Sequence, residues 1–471
     1  MVYKRQYGPY TLFADAKHMK SYVFENAYEF SRLLDRSWRE DVELMNGVCR
    51  AFPEEDCHII KSDFFEFLEV LMELRLIRVE KEESSVWKSN LNGTNLSRQS
   101  ALNNDVGSSQ ELLSKYFLEH PTLVNLQIDI TQACTERCVH CYVPEYGTVC
   151  LTFEKIKEAL DWFAFQGGLS LSISGGECLL HPDFAKIIHY ANSKDLAVKV
   201  FSNLTVCTEE IAKLFQEANV RVQTSLYSMN EELHDAITQL RGSYKTTRCW
   251  LEKLVRYGVQ CSIACPLMRE NYRGYSDVRK YAKSLGCNLT TDFAIIGRAD
   301  GSTDNLVHRL TIEEVKAVLE ELARESVAES PEYFNAYFQS ECFARQHEAD
   351  WLLEPLCDVC ISTMCLGANG EYHPCTAFGD VVLGDCQRDS IEWVWQHSPN
   401  TLRIRSLRGK DIRRCVKCKI RPYCSICLCR NQNENGDMCE PSEYFCRVAA
   451  VNKEIVEMYR QEYCGRSGAR T

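Results

Sequence analysis

The sequence predicts an α/β protein: a partial (β/α)6 barrel, preceded by a small α+β domain and followed by a cysteine-rich domain. Three observations carry this prediction. Apolar strand patterns and amphipathic helix patterns alternate from residue 125 to about residue 324, which favours a parallel sheet or barrel. Six such repeats are too few for a closed eight-stranded barrel. Finally, 14 of the 26 cysteines follow residue 341, where the periodicity fades.

Composition and charge exclude several classes of protein. The chain has 471 residues, 45% apolar and 25% charged, which is typical of globular proteins rather than collagen-like or disordered chains. Its net charge of −12 disfavours nucleic acid as a partner. Residues 1–20 contain no apolar signal region, and no apolar run reaches the ~18 residues that span a membrane. We therefore expect a cytoplasmic protein, not bound to a membrane, whose thiols hold metal or iron–sulfur clusters rather than disulfides.

Residues 1–81 are predicted to form a domain of their own. Short β-rich runs come first, followed by three helical patterns, the third beginning at a pair that resembles a capping box, Asp63 and Glu66. The predicted elements are strands Tyr10–Phe13 and Tyr22–Phe24, helices Ala27–Arg36, Arg39–Phe52 and one from Asp63, and a last strand Leu76–Val79. This order is winged-helix-like. Residues 82–120 are predicted to be a linker, because Ser, Asn and Gly dominate residues 82–110.

The central domain, residues 121–324, carries the repeated units. Its predicted strands are Asn125–Thr131, Leu169–Ser174, Ala197–Ser202, Arg221–Leu226, Gln260–Ala264 and Asn288–Ala294. Its predicted helices are Thr152–Gln166, Asp183–Lys194, Thr208–Ala218, Ser243–Tyr257, Tyr275–Leu285 and Thr311–Arg324. Sites in α/β folds form at the carboxyl ends of the strands, so residues just after each strand are the first candidates for function.

The first of these strands leads into three closely spaced cysteines. Cys134, Cys138 and Cys141 form the pattern Cys-x3-Cys-x2-Cys. Three thiolates can hold three irons of a four-iron cluster and leave the fourth iron open to a substrate, whereas electron-transfer clusters are closed by four ligands. A zinc site is the alternative, but zinc motifs usually pair Cys-x2-Cys units and need a fourth ligand.

With this motif the chain resembles the radical S-adenosylmethionine (SAM) superfamily. The matching segment is Cys-Thr-Glu-Arg-Cys-Val-His-Cys at residues 134–141, with a histidine where the family usually has an aromatic residue. A second match is Ser-Gly-Gly-Glu at residues 174–177, which in the family receives the SAM amino group. Two weaker matches are Asn203, after the third strand, and Ser225, in the fourth strand. A turn asparagine and a core serine explain these two residues equally well. The resemblance implies SAM contacts from His140, Gly175, Gly176, Glu177, Asn203 and Ser225.

The resemblance also implies a reaction and a role for Glu177. Its carboxylate would pair with the SAM ammonium group, since the adjacent glycines allow close backbone approach. The alternative is that Glu177 caps the helix beginning near Pro182. In the family, one electron from the reduced cluster cleaves SAM, and the resulting 5′-deoxyadenosyl radical takes a hydrogen atom from the substrate. The cofactor carries this chemistry, while the protein supplies orientation and excludes water.

The region from residue 325 to residue 471 has a second cysteine pattern. Cys357, Cys360, Gly370 and Cys375 are followed by Cys415-x2-Cys418-x5-Cys424-x2-Cys427 and, further on, by Cys446. Taken alone, the paired Cys-x2-Cys units fit a zinc knuckle equally well. After a radical-generating triad, the pattern resembles instead the SPASM extension of radical SAM enzymes, which carries two auxiliary four-iron clusters. In the SPASM family, the gap that corresponds to Cys424-x2-Cys427 is x3 rather than x2.

The SPASM resemblance implies a ligand set for each auxiliary cluster. The first set would be Cys357, Cys360, Cys375 and Cys427, and the second Cys415, Cys418, Cys424 and Cys446. Because of the shortened gap, Cys429 competes with Cys427, and Cys365 and Cys439 are possible alternates. Together with the triad, the implied cofactors are SAM and three [4Fe-4S] clusters. Cysteines in periodic segments, such as Cys49 and Cys57, are predicted to be small core or surface residues.

The N-terminal domain resembles the leader-peptide recognition domain of many maturases of ribosomally made peptides. The resemblance rests on the order and length of the predicted elements. It implies that an extended leader adds as a strand to a sheet edge. A DNA-binding winged helix is the alternative, but phosphate binding requires Lys and Arg. The third predicted helix instead carries Asp63, Glu66, Glu69 and Glu73.

These resemblances together imply a radical SAM maturase acting on a ribosomally made precursor peptide that carries a leader. The expected product is a cross-link, namely a thioether from a substrate cysteine to a carbon. Sulfatase-type maturation competes, but that branch places an Asp after the cysteine equivalent to Cys375, where this chain has Thr376. Carbon–carbon cross-linking, epimerisation, decarboxylation and a non-enzymatic electron-transfer role are further alternatives. The cluster also implies an electron donor such as flavodoxin or ferredoxin.

Overall fold

The computed structural model describes residues 2–15, 20–34, 41–77, 106–144, 146–329 and 348–467. They divide into two compact units, with the boundary between Thr122 and Leu123. Each unit has hydrophobic core clusters of its own. Among the described residues, no helix has both the length and the apolar character needed to cross a membrane.

The first unit combines a three-stranded antiparallel sheet with helices. Strands β1 (Val2–Tyr7), β2 (Tyr10–Asp15) and β3 (Lys20–Glu25) lie in sequence order, so β2 is central. The predicted hairpin is confirmed, because Leu12 pairs with Val23 and Phe13 with Tyr22. The helices of the described part are α1 (Tyr28–Ser31), α2 (Asp41–Ala51), α3 (Cys57–Glu73) and α4 (Val106–Glu119).

The helices of this unit differ from the prediction at their ends. Helix α1 has only four residues, and the part of predicted Ala27–Arg36 beyond Leu34 lies outside the described residues. Helix α3 begins at Cys57 rather than near Asp63, because the Asp56 side chain accepts a hydrogen bond from the backbone N–H of His58 and caps the helix there. Asp63 therefore lies inside α3.

Two further predictions for this unit, the last strand and the linker, are wrong at positions where composition is a weak guide to secondary structure. Leu76 and Ile77 form a turn instead of the last strand, and the remainder of predicted Leu76–Val79 lies outside the described residues. Helix α4 begins at Val106, inside the Ser- and Asn-rich segment predicted to be a linker. Its ring contacts explain this: Tyr116 packs edge-to-face on Tyr10, and Phe117 on Tyr7. Tertiary packing thus overrides composition.

Cys49 and Cys57 form a disulfide, which corrects the prediction that both are small core or surface residues. Cys49 lies in the last turn of α2 and Cys57 opens α3. The short turn between the helices brings their Cα atoms to 5.3 Å, inside the range that a disulfide bridges. The expectation that thiols of this chain do not form disulfides is therefore wrong for this pair.

The second unit is built on one sheet of mixed direction. Six parallel strands follow the chain in order, and each predicted strand of the central domain is confirmed to within two residues. They are β4 (Asn125–Asp129), β5 (Ser170–Ser174), β6 (Ala197–Phe201), β7 (Arg221–Ser225), β8 (Cys261–Pro266) and β9 (Asn288–Asp292). The partial (β/α)6 barrel predicted from the repeats is confirmed.

Helices alternate with these strands and then continue through the C-terminal region. The predicted helix starts at Thr152 and Thr208 are N-caps, whose side chains accept hydrogen bonds from Lys155 N and Ile211 N. The helices described are α5 (Phe153–Phe165), α6 (Phe184–Ser193), α7 (Glu209–Glu217), α8 (Glu231–Thr238), α9 (Ser243–Arg256), α10 (Tyr275–Ser284), α11 (Ile312–Glu329), α12 (Glu348–Leu353), α13 (Ile391–His397), α14 (Pro399–Ser406), α15 (Leu428–Asn435) and α16 (Glu443–Ser467). Helix α8 was not predicted.

The cysteine-rich region extends the same sheet. Strands β10 (Thr363–Leu366), β11 (Glu371–His373) and β12 (Gly384–Asp385) give the order β12-β11-β10-β4-β5-β6-β7-β8-β9 within the described residues. Strand β10 pairs in parallel with β4, so that Cys365 lies opposite Gln127. The first strand of the barrel is therefore joined directly to the region that holds the C-terminal cysteines.

The two faces of the sheet differ in polarity. Leu126, Ile128, Leu171 and Ile173 are fully buried in the cluster that also contains the apolar faces of α5 and α6. The alternate positions are partly exposed and mostly polar, and we call this side the inner face. Its members on β4 to β7 include Gln127, Asp129, Ser172, Ser174, Lys199, Gln223 and Ser225. Because strand side chains alternate, the residues at the strand ends point toward the same inner space.

Candidate active site and cysteine centres

Cys134, Cys138 and Cys141 lie in the loop after β4, at the carboxyl edge of the sheet, and all three thiols are partly buried. The Tyr227 hydroxyl lies 3.8 Å from Cys138 Sγ, and the Asn203 side-chain amide lies 4.0 Å from Cys134 Sγ. Burial raises the pKa of Cys134 to about 11. A thiolate at this position therefore needs a positive partner such as a metal.

Gly175 and Gly176 bring the end of β5 against this cysteine loop. Gly176 N–H donates to Thr131 O at 2.9 Å, and Glu177 N–H donates to Ala133 O at 2.7 Å. A Cβ on Gly176 would lie 2.4 Å from Ala133 O, and one on Gly175 would lie 2.3 Å from Thr131 O. Both glycines are thus required to hold the loop.

Glu177 has a fully buried side chain whose carboxylate is hydrogen-bonded within the protein. Its Oε1 accepts hydrogen bonds from Leu179 N at 3.0 Å and Ser202 Oγ at 2.8 Å, and its Oε2 accepts one from Asn203 N at 2.7 Å. It caps the 3-10 helix Cys178–Leu180 rather than the helix after Pro182. The carboxylate therefore joins the strand ends of β5 and β6, and pairing with SAM stays a prediction.

We call this joining of the ends of β5 and β6 the bracing role of Glu177, and replacing Glu177 by glutamine tests it. The amide nitrogen would face N–H and O–H donors, so we expect a stability loss of about 1.5–3 kcal/mol, the range for hydrogen bonds to charged groups. Thermal melting and SAM binding should be measured on the same reconstituted protein. If melting is unchanged and SAM affinity falls, the ammonium-pairing role is correct and the bracing role is wrong. Asp183→Asn is the control, because Asp183 is an N-cap without a side-chain cap bond.

The remaining predicted SAM contacts also gather at this edge. Asn203 follows β6 and donates to Thr135 Oγ1 at 3.0 Å, which ties it to the cysteine loop. Ser225 ends β7, and its side chain neighbours that of Tyr227. The His140 ring packs edge-to-face on Tyr227 at 5.1 Å, and its Nδ1 is buried without a hydrogen-bond partner in the described structure. The structure thus brings together the residues that the sequence predicted.

Three residues at this edge were missed by sequence reasoning. Tyr227 follows β7 and contacts both Cys138 and His140. Glu136 lies inside the cysteine motif, where burial raises its pKa to about 7 and Cys138 Sγ lies 3.3 Å from its carboxylate. Arg298 donates to the carbonyls of Cys141 and Val143, both at 3.0 Å. Of these three residues, only Tyr227 could have been predicted from its position, because it lies just beyond the end of a predicted strand.

The second predicted auxiliary set lines one pocket. Its walls include Cys415, Cys418, Cys424 and Cys446, the four cysteines implied by the SPASM resemblance. Cys427 also lines this pocket, together with Arg421, Arg430 and Phe445. A pocket framed by several thiols fits a [4Fe-4S] cluster, which is held by cysteine thiolates.

The first predicted auxiliary set comes from three places in the chain: Cys357 and Cys360 precede β10, Cys375 follows β11, and Cys427 is the N-cap of α15. Cys360 is fully buried with a φ of 61°, a conformation that costs a non-glycine residue of order 1–3 kcal/mol, and its N–H donates to Thr363 O at 2.8 Å. The motif's Gly370, with φ of 89°, makes the turn into β11. Partial burial of its thiol, with smaller contributions from the nearby Cys375 and Cys427, raises the pKa of Cys357 to about 11, although the residue as a whole is exposed.

Cys427 and Cys429 both lie near this first set. Cys427 neighbours Cys357, whereas Cys429 is buried and its thiol neighbours that of Cys375, which lowers the pKa of the Cys375 thiol. The choice between them as a ligand therefore stays open. Cys365 lies within β10, with its Sγ 4.0 Å from Asp129 Oδ2, and we assign it no ligand role. Cys439 is partly buried and does not line the pocket of the second set.

Residues 128–282, from β4 to α10, match the family model of the radical SAM superfamily. The chain contains a radical SAM domain. This stretch includes the cysteine triad, the Gly-Gly-Glu segment and the ends of β4 to β8, so the matched residues are those that form the candidate site.

Relatives and solved structures extend the comparison beyond this radical SAM domain. The antilisterial bacteriocin subtilosin biosynthesis protein AlbA of Bacillus subtilis is 26% identical over 67% of this chain and 70% of its own length. The AdoMet-dependent heme synthase of Methanosarcina barkeri is 24% identical over 67% of this chain and 94% of its own. Streptococcus suis SuiB, bound to precursor peptide SuiA, shares the fold with a TM-score of 0.58 at 13% identity, over 94% of this chain and 98% of SuiB.

A radical SAM domain implies SAM and a [4Fe-4S] cluster, and the thiols of the cysteine loop fit the cluster. Three thiols lie in one loop, and hydrogen-bond donors from Tyr227 and Asn203 lie close to two of the sulfurs. In the described residues, no group of three or more His, Cys, Asp or Glu side chains is arranged to hold a single metal ion. When bound, the cofactors would supply the radical, while the chain's own residues orient them at the carboxyl edge of the sheet.

Proposed function

We propose that the protein is a radical SAM maturase that modifies a ribosomally made precursor peptide by forming a thioether from a cysteine to a carbon. The observation that carries this proposal is the pairing of β10 with β4. It sets Cys375 and Thr376 beside the inner face of the radical SAM domain, where the Thr376 hydroxyl contacts Tyr142 and Asp129 at 2.8 Å each. An oxidative cross-link leaves one electron on the substrate, and a [4Fe-4S] cluster that Cys375 helps to hold would supply an acceptor for it.

The comparisons support a peptide as the substrate class. AlbA is named for the biosynthesis of the bacteriocin subtilosin, and SuiB was solved with its precursor peptide. We extend that substrate class to this chain, with SAM, three [4Fe-4S] clusters and a flavodoxin- or ferredoxin-like electron donor as the proposed requirements. We also propose that the protein acts in the cytoplasm, where such donors are found, without nucleic acid as a partner.

The first unit supports leader recognition. Its antiparallel sheet has β3 at one edge in the described residues, and a peptide can add to a strand edge through backbone hydrogen bonds. Helix α3 exposes Asp63 and Glu66, which disfavours phosphate and therefore DNA. We infer that this unit holds the leader while the second unit performs the chemistry.

Heme synthesis is a second candidate, because the Methanosarcina barkeri protein matches this chain over 94% of its own length. The two functions differ in substrate, so one experiment separates them. The reconstituted protein is incubated anaerobically with SAM and dithionite, and with either a tetrapyrrole or a short cysteine-containing peptide encoded by a neighbouring reading frame. We expect 5′-deoxyadenosine to accompany loss of two hydrogen atoms from the peptide. Turnover of the tetrapyrrole and none of the peptide would contradict the maturase proposal.

Deleting residues 1–122 should separate leader binding from radical chemistry. We expect the truncated protein to cleave SAM reductively, because the triad and its surrounding strands all belong to the second unit. It should bind the precursor peptide at least about tenfold more weakly, a loss of ~1.4 kcal/mol or more. Iron content and melting of the truncated protein serve as controls. Equal peptide affinity with and without the first unit would show that the leader binds elsewhere.

A further inference from the structure

Asp129 is a carboxylate that the radical SAM motifs do not use. It is the last residue of β4, on the inner face, and part of its surface is accessible. Its Oδ1 accepts a hydrogen bond from the Gln127 side chain at 2.9 Å, and its Oδ2 accepts one from Thr376 Oγ1 at 2.8 Å. The Cys365 thiol also lies 4.0 Å from Oδ2. A carboxylate offers about four lone-pair sites, so these three contacts still leave acceptor capacity.

Thr376 connects this carboxylate to both halves of the site. Its hydroxyl donates its single proton to Asp129, so it accepts the hydrogen bond from the Tyr142 hydroxyl at 2.8 Å. Tyr142 follows Cys141 of the radical triad, and Thr376 follows Cys375 of the first auxiliary set. Through Thr376, Asp129 is therefore connected both to the segment that follows the radical triad and to the segment that follows Cys375.

Other carboxylates near the triad are less suited to react with a substrate. Glu177 is fully buried and accepts hydrogen bonds from Leu179, Ser202 and Asn203. Glu136 is 4% exposed and lies against Cys138 Sγ. Neither has both the accessible surface and the connection to Cys375 that Asp129 has. Geometry thus distinguishes Asp129 among these three.

We propose that Asp129 is the proton acceptor of the cross-linking reaction, held in place by Thr376. The inference rests on the proposed function and names a catalytic residue for it. In the step, a substrate carbon loses a hydrogen atom to the 5′-deoxyadenosyl group and the substrate cysteine loses its thiol proton to Asp129. The carbon–sulfur bond then forms, and the remaining electron passes to a [4Fe-4S] cluster at Cys375.

Asp129→Asn tests the proposal because asparagine keeps the shape and removes the basic oxygen. The probe is the cysteine-containing peptide of the neighbouring reading frame, deuterated on carbon. Transfer of deuterium to 5′-deoxyadenosine reports hydrogen abstraction, and the cross-linked product reports the complete reaction. We expect the variant to transfer deuterium but to form product about 10²–10⁴-fold more slowly, the usual contribution of a general base.

A second variant separates catalysis from structure. Asp129→Asn combined with Thr376→Asp moves the carboxylate across one hydrogen bond, and we expect it to recover product formation. Product at the wild-type rate in Asp129→Asn, or loss of deuterium transfer together with product, would overturn the proposal. So would a double variant without recovery whose melting and iron content match the wild type. If the wild type itself transfers no deuterium from the peptide, the proposed function fails, and this inference fails with it.

Discussion

Replacing Cys134, Cys138 and Cys141 together by alanine should abolish reductive cleavage of SAM and lower the iron content by about four atoms per chain. The three thiols are partly buried in one loop and have hydrogen-bond donors close to two of their sulfurs. Without them, nothing would hold the cluster that delivers the electron. Iron and sulfide analysis and the yield of 5′-deoxyadenosine after dithionite reduction measure the two effects.

The matched control for this variant is Cys261→Ala together with Cys287→Ala. Both residues are buried cysteines of the same unit that lie outside the predicted ligand sets. We expect the control to keep its full iron content and its SAM cleavage. If the triad variant retains as much iron as this control, the assignment of the triad to a cluster is wrong. Zinc in place of iron after anaerobic reconstitution would contradict the auxiliary assignments as well.

Replacing Glu434 by alanine should cost about 3–5 kcal/mol of stability, the usual result of leaving a buried charge unpaired. Glu434, on α15, pairs with Arg309 at 2.6 Å, and their side chains are only 9% and 7% exposed. Arg309 also donates to Ile295 O at 2.8 Å, and Ser442 Oγ donates to Glu434 at 2.6 Å. These contacts connect the segment after β9 to the cysteine-rich region.

Chemical unfolding measures this effect, and Glu454→Ala is the control. Glu454 pairs with Lys316 on the surface, where both side chains are well exposed, so its removal should change the unfolding midpoint little. Replacing Arg309 and Glu434 together by methionine should recover much of the loss, since no charge is then left unpaired. If Glu434→Ala and Glu454→Ala unfold at the same denaturant concentration, the buried pair does not stabilise the fold.

The repeated part of the fold could be predicted because its signals are local. Alternation of apolar residues identifies β4 to β9. Thr152 and Thr208 mark the starts of two helices, because their side chains form capping hydrogen bonds. Cysteine spacing likewise identifies the triad, because all three ligands lie in one loop. Local signals fail in the first unit, where Asp56 rather than Asp63 caps α3. Either aspartate is an acceptable cap, and only packing selects one.

Contacts between distant segments could not be predicted from the sequence. Nothing near Thr376 indicates that its hydroxyl meets Asp129, because that contact depends on the pairing of β10 with β4. The Cys49–Cys57 disulfide was missed for a related reason: it depends on how the turn between α2 and α3 closes. Glu177 shows a third limit, since its motif predicts a cofactor contact while its carboxylate is occupied by donors from two strand ends.

The parallel pairing of β10 with β4 also has a consequence for the order of folding. During synthesis, residues 125–129 leave the ribosome long before residues 363–366, so β4 has no partner on that side until most of the chain has been made. An unpaired strand edge invites association with other chains. We therefore expect nascent chains to be more prone to aggregate in this interval than after it. The C-terminal region holds cysteines, and through β10 it also pairs with the exposed edge of β4, which removes that edge as a site of association.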